Sequence, residues 1–145
     1  MKRSASLAPL SRDHHHALVV SMALVRASEG TGRSSAQLFA DFIVEHEARH
    51  FALEEELLLP AVSAGERGRL LGERIRADHR YLCQAAEQLR GAAQAPSIEL
   101  LHELGSRLRA HVQLEERELF PYLEKTLDAA TLERIGAAIE QSDRR

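Results

Sequence analysis

Residues 50–60 read HFALEEELLLP and residues 111–121 read HVQLEERELFP. At an offset of 61 they share His50/His111, Leu53/Leu114, Glu54/Glu115, Glu55/Glu116, Leu58/Leu119 and Pro60/Pro121. Each block carries a histidine and a glutamate four residues apart, so on a helix both point the same way, one turn apart. Two such helices facing each other would offer two imidazoles and two carboxylates to one cation. That donor set suits iron, manganese or zinc better than calcium or magnesium, which prefer all-oxygen shells.

The elements that must position these residues are helices. The chain has 145 residues, enough for one domain with a core. Its apolar set is dominated by Leu and Ala, aromatics are only 4%, and there is no Trp. No stretch shows strand alternation, so the expected fold is all-α. The net charge of −3 gives no basic signature for nucleic acid. No apolar run reaches the length of a signal peptide or a membrane span, so a cytoplasmic protein that binds no membrane is expected. Cys83 is the one cysteine, which fits a reducing compartment.

Residues 1–10 read as a loose lead-in. Ser11 is a candidate N-cap for a first helix running to about Ser28. A second helix is expected from about Ser35 to Pro60 or just beyond, where the proline should kink or end it. A third spans about Glu66 to Arg90, and a fourth runs from Ser97 as N-cap to about Lys125. Asp128 can cap a short fifth helix. Short connections imply an up-down-up-down four-helix bundle over 11–126, followed by a short C-terminal helix and tail over 127–145.

This arrangement places the histidines in depth. Counting from the turns at one end, His15 lies about 13 residues away, His50 about 15, His79 about 12 and His111 about 14. Four helices would then carry a histidine at one level, with Glu54 and Glu115 one turn deeper. His15, His50, Glu54, His79, His111 and Glu115 exceed the needs of a single four-coordinate zinc. They fit two ions bridged by the two glutamates, with solvent or an oxo/hydroxo group completing the shells.

The order H…HxxxE…H…HxxxE resembles the hemerythrin-like, HHE cation-binding family over the first four helices. The carrying residues are a histidine within LSRDHHHAL, His50 with Glu54, the single His79, and His111 with Glu115. The resemblance implies a hemerythrin-type bundle and a non-haem di-iron centre, with manganese or zinc as alternatives. It also implies a small diatomic or peroxide ligand, for oxygen binding, sensing or iron handling. Two departures stand out. Hemerythrins proper carry a second third-helix histidine, where this chain has Ile75; their last carboxylate is an Asp five residues after the histidine, where Glu115 sits at four and Glu116 at five. With six ligands instead of seven, one ion keeps an open position. A binding protein is the first reading and a peroxidase or oxidase the second, with a metal-dependent interaction module as a third.

Three histidines compete for the first-helix position. His15 is followed by Leu18, Val19, Met22 and Val25 at the offsets where His79 has Leu82, Cys83, Ala86 and Leu89, which favours it. Against this, Asp13-His14 echoes Asp78-His79; His16 is the third option. Glu55 and Glu116 belong to a solvated face or hydrogen-bond a ligand histidine from outside. His46 and His102 read as outlying or surface histidines. Cys83 reads as a small buried apolar residue, and the arginines of 67–80 as a solvated face.

Overall fold

The computed structural model describes residues 3–92 and 94–143. Parts of the expected lead-in, of the break at 91–96 and of the C-terminal tail lie outside the described residues. The protein is all-helical, with no strand among the described residues. The first helix is Ala8–Val25. The second runs through residues 32–62 as α-helical Gly32–Phe42, Ala48–Leu53 and Leu59–Val62, joined by π-helical turns at Ile43–Glu47 and Glu54–Leu58. The third is Glu66–Arg90. The fourth joins Ile98–Leu114 to Phe120–Thr126 through a π turn at Glu115–Leu119. The fifth is Ala129–Asp143.

The π turns explain how both prolines are carried inside helices. A proline offers no N–H, and its ring collides with the carbonyl four residues back. Widening the preceding turn relieves that collision, because the ladder is then closed from one residue further on. The Leu59 N–H donates to the Glu54 carbonyl and the Phe120 N–H to the Glu115 carbonyl, five residues apart in each case. Pro60 therefore does not stop the second helix, which continues to Val62. Each of these two wide turns begins on the glutamate of an HxxxE block, whereas the third begins at Ile43.

The caps follow local chemistry. Ser97 Oγ accepts from the Leu100 N–H at 3.1 Å, and Asp128 Oδ1 accepts from the Thr131 N–H at 2.7 Å. Ser11 is not a cap: the first helix already begins at Ala8, and the Ser11 hydroxyl donates to Glu116 at 2.8 Å. The segment before this helix is also not loose, since Leu7 is fully buried and Arg3 pairs with Glu124 at 2.6 Å. The first and fourth helices approach closely at Gly105, where a Cβ would stand 2.8 Å from the Ser21 carbonyl; Ser21 Oγ donates to the Gly105 carbonyl at 2.8 Å.

Two apolar clusters form the core. One gathers Ala17, Phe39, Phe51, Leu82 and Leu108; the other gathers Leu10, Leu58, Ile75, Leu119 and Phe120. The histidine of each of the first four helices sits between them. Leu10 and Ala17 flank the first-helix site, Ile75 and Leu82 flank His79, and Leu108 and Leu119 flank His111 and Glu115. Each fully buried Leu or Phe contributes roughly 1.5–3 kcal/mol, which offsets the cost of burying a polar layer between the clusters. Among the described residues, no helix is long and apolar enough to cross a membrane.

Candidate metal centre

The first helix settles which of its histidines faces inward. Its buried face is Leu10, His14, Ala17, Val20, Ser21 and Leu24, the spacing of one helical stripe. His14 is buried, while His15 and His16 are exposed. The expectation of His15 is therefore corrected to His14. Its basis fails because Leu18, Val19, Met22 and Val25 are not core: they lie 38–65% exposed on the outer face.

His14, His50, His79, His111, Glu54 and Glu115 are all buried, to 3% exposure or less. They form two groups, His14-His50-Glu54-Glu115 and Glu54-His79-His111-Glu115, with ligand atoms in each group within 4.8 Å of one another. The two glutamates belong to both. Glu54 turns Oε2 to His50 Nε2 and Oε1 to His79 Nε2, each at 3.1 Å. Glu115 turns Oε1 to His14 Nε2 at 2.8 Å and to His50 Nε2 at 3.7 Å. Its Oε2 meets His111 Nε2 at 3.1 Å and His79 Nε2 at 3.8 Å. Metal–ligand bonds near 2.1 Å place two ligands of one ion roughly 3–4 Å apart, so these spacings fit a cation in each group.

Four of the converging atoms have no hydrogen-bond partner among the described residues: Glu54 Oε1, His79 Nε2, His111 Nε2 and Glu115 Oε2. They approach one another without the alignment a hydrogen bond requires. Buried polar atoms are rarely left in this state, and a cation would engage all four lone pairs. The residues present thus fit a metal on the chemistry of the donors and on their orphaned atoms.

Each imidazole is oriented from behind by a carboxylate at Nδ1. His14 meets Glu116 at 2.7 Å, His50 meets Asp13 at 3.1 Å, His79 meets Glu55 at 2.9 Å and His111 meets Asp78 at 3.0 Å. With Nδ1–H donating outward, Nε2 is left to face the cluster, the arrangement that holds a ligand histidine in one tautomer. Rings add packing: Phe51 stacks on His79 at 3.9 Å and Phe120 on His14 at 5.5 Å.

Without a cation, the carboxylates bind protons through the imidazoles. Burial opposes charging of His14, but hydrogen bonds to Glu115 and Glu116 outweigh it and raise its pKa to about 9. Burial likewise opposes charging of His79, and Glu115 and Glu54 raise it to about 9. His111 rises to about 10, its burial outweighed by the charge of Glu115 and the bond to Asp78. His50 is also raised, against its burial, chiefly by Glu54. Glu115 is held well below the ordinary carboxylate range: burial works against its charge, but His111, His14 and His50 prevail. A cation entering this cluster must displace protons from the imidazoles.

Glu47 was not foreseen. It is 3% exposed, and its Oε1 lies 3.8 Å from His50 Nε2. Burial pushes its carboxyl up to about 7, against the pull of His50. In the sequence it looks like any acidic residue of a helix surface, and the π turn that it ends has no signal there. His46 is exposed. His102 is partly covered and donates from Nε2 to the Ala27 carbonyl at 2.9 Å. Cys83 is half-buried against the core and belongs to neither ligand group; burial raises its thiol pKa.

Comparison with protein families gives one match. The hemerythrin HHE cation binding domain matches residues 8–123, and again residues 70–141. The second, overlapping match begins on the third helix, as expected for a chain whose two-helix units repeat. No curated protein and no solved structure matches the chain. The match over most of the chain agrees with two buried His/Glu groups built for a cation, and on these grounds the chain belongs to the hemerythrin HHE cation-binding domain family.

Proposed function

We propose that the chain holds two iron ions, one by His14 and His50, the other by His79 and His111, with Glu54 and Glu115 bridging. The observation that carries this reading is the split of both carboxylates: each directs one oxygen to one histidine pair and the other oxygen to the second pair. A lone cation would leave half of these donors idle. The order of the apolar clusters along the helices reverses from each of the first four helices to the next, which supports an up-down-up-down bundle around the site. Mixed nitrogen and oxygen donors favour iron, with manganese or zinc as alternatives.

A bound iron pair would supply redox change and an acceptor for a small ligand such as dioxygen, nitric oxide or peroxide. This chain's own residues orient the imidazoles, offset the charge and exclude bulk water through the two apolar clusters. The function that follows is binding or sensing of such a ligand, or iron handling, in the cytoplasm. Anaerobic Fe(II) titration of the metal-free protein tests it. Saturation at two ions per chain is expected; saturation at one, or none, would sink the dinuclear reading.

One observation favours a second, catalytic reading. Ile75, one turn before His79, is fully buried and offers no donor, so an ion held by His79 and His111 would have fewer protein donors and could accept a peroxide or dioxygen substrate. If iron-loaded protein consumes peroxide no faster than Glu54→Ala, this reading is lost.

A further inference from the structure

A cleft of about 170 Å³ is walled by the first and second helices and by Asp143 at the end of the fifth. Such a volume holds several waters or a hydrated cation. His50, itself buried, lines it together with four carboxylates: Asp13, Glu45, Glu47 and Asp143. The cation facing them, Arg49, is already paired with Asp143 at 3.1 Å. His16 and His46, both exposed, also line it, with ring centroids 5.5 Å apart. Among the described residues the lining is therefore net negative, and a concave wall of one sign concentrates the opposite ion.

Glu47 distinguishes this cleft from an ordinary acidic patch. Its side chain is nearly fully buried, yet it lines the cleft, and its Oε1 stands 3.8 Å from His50 Nε2, beyond hydrogen-bond length. Drawing a carboxylate this far into the protein costs free energy that a cation in the cleft would offset. At 3.8 Å from His50 Nε2, Oε1 stands where one ion could touch both. It is absent, however, from the tighter group of His14, His50, Glu54 and Glu115. The equivalent position in the other HxxxE unit is Leu108, fully buried in the apolar core. On that side Arg107 lies over Tyr81 at 4.0 Å and reaches Asp78 at 3.9 Å.

We propose that this cleft is the route by which a divalent cation reaches the centre, and that Glu47 is a transit ligand that passes it to His50. The proposal rests on the dinuclear reading of the centre. The cation moves without change of oxidation state, exchanging water and Glu47 oxygen for His50 nitrogen. Glu47 holds it on the way in and is not among its final ligands.

The test is the rate of anaerobic Fe(II) uptake by metal-free protein, followed with the final iron content. The proteins compared are wild type, Glu47→Gln, which keeps the shape, and Glu47→Leu, which copies Leu108. Helix content measured by circular dichroism confirms that each variant is folded. Uptake about tenfold slower in Glu47→Gln, slower still in Glu47→Leu, with both reaching the wild-type content, is expected. Unchanged rates in both variants overturn the route. A lower final content in Glu47→Gln makes Glu47 a permanent ligand and overturns the transit role. A wild type that never retains two ions fails the dinuclear reading itself, and the route with it.

Discussion

In the half of the centre formed by His14 and His50, the imidazoles are held from behind by Glu116 and Asp13; in the half formed by His79 and His111, by Glu55 and Asp78. The pattern is the same. The aspartate preceding the single histidine holds the histidine of the following HxxxE block, and the glutamate after each ligand glutamate crosses to the other half. The finish differs. Asp13 is 56% exposed at its side chain and Asp78 only 20%. Glu47 ends a π turn in one half, where Leu108 lies on a regular α-helix in the other. The repeated residues build the buried His/Glu cluster, and the places where the repeat breaks make its two flanks different.

The largest effect should come from the residues both halves share. Glu54→Ala and Glu115→Ala are each expected to reduce metal content to background, because each removes a donor from both groups. Breaking such a buried ion pair also costs about 3–5 kcal/mol, so the metal-free variants should melt earlier. Retention of one ion by either variant would mean that its carboxylate serves a single half.

Next come the histidines taken one at a time. His14→Ala and His79→Ala should each lose about half the metal, from opposite halves, while His15→Ala should lose none. Loss of metal in His15→Ala, with full retention in His14→Ala, would reverse the assignment. Smaller differences are expected from the supporting carboxylates. Asp78→Asn should weaken metal binding by about 10–100-fold, and Asp13→Asn by less, since solvent screens the more exposed Asp13. Equal effects would remove the asymmetry in covering.

A pH series gives the mildest test. In the metal-free protein, His14, His79 and His111 have pKa values raised to about 9, 9 and 10 from 6.5. A raised value means that the folded state binds the proton more tightly, so this stabilisation is complete below pH 6.5 and lost as pH rises through 9–10. The melting temperature of metal-free protein should fall from pH 7 to 10. Metal affinity should move the other way over that range, since fewer protons must be displaced. A metal-free melting temperature that is flat over this range would show that the imidazoles do not share protons with Glu54 and Glu115.

Much of the site was legible in the sequence because an i, i+4 pair remains a pair on any helix. Glu55 and Glu116, which read first as a solvated face, turn out to hold His79 and His14 from other helices, the lesser of the two readings the sequence allowed. His14 was not, because the apolar residues that seemed to mark the inner face of the first helix form an exposed stripe. Helical period alone cannot tell two apolar faces apart, and the Asp-His echo was the better guide. The π turns were illegible, since an extra residue per turn leaves no compositional trace, and Glu47 was hidden with them. For the fold, helix number and most boundaries followed from Gly, Ser and Pro punctuation.

The most direct test of the paired centre is a crystal of iron-loaded protein measured on both sides of the iron absorption edge. Two anomalous peaks are expected, one beside His14 and His50, the other beside His79 and His111, with Glu54 and Glu115 reaching both. A single peak, or a peak coordinated by His15, would contradict the account.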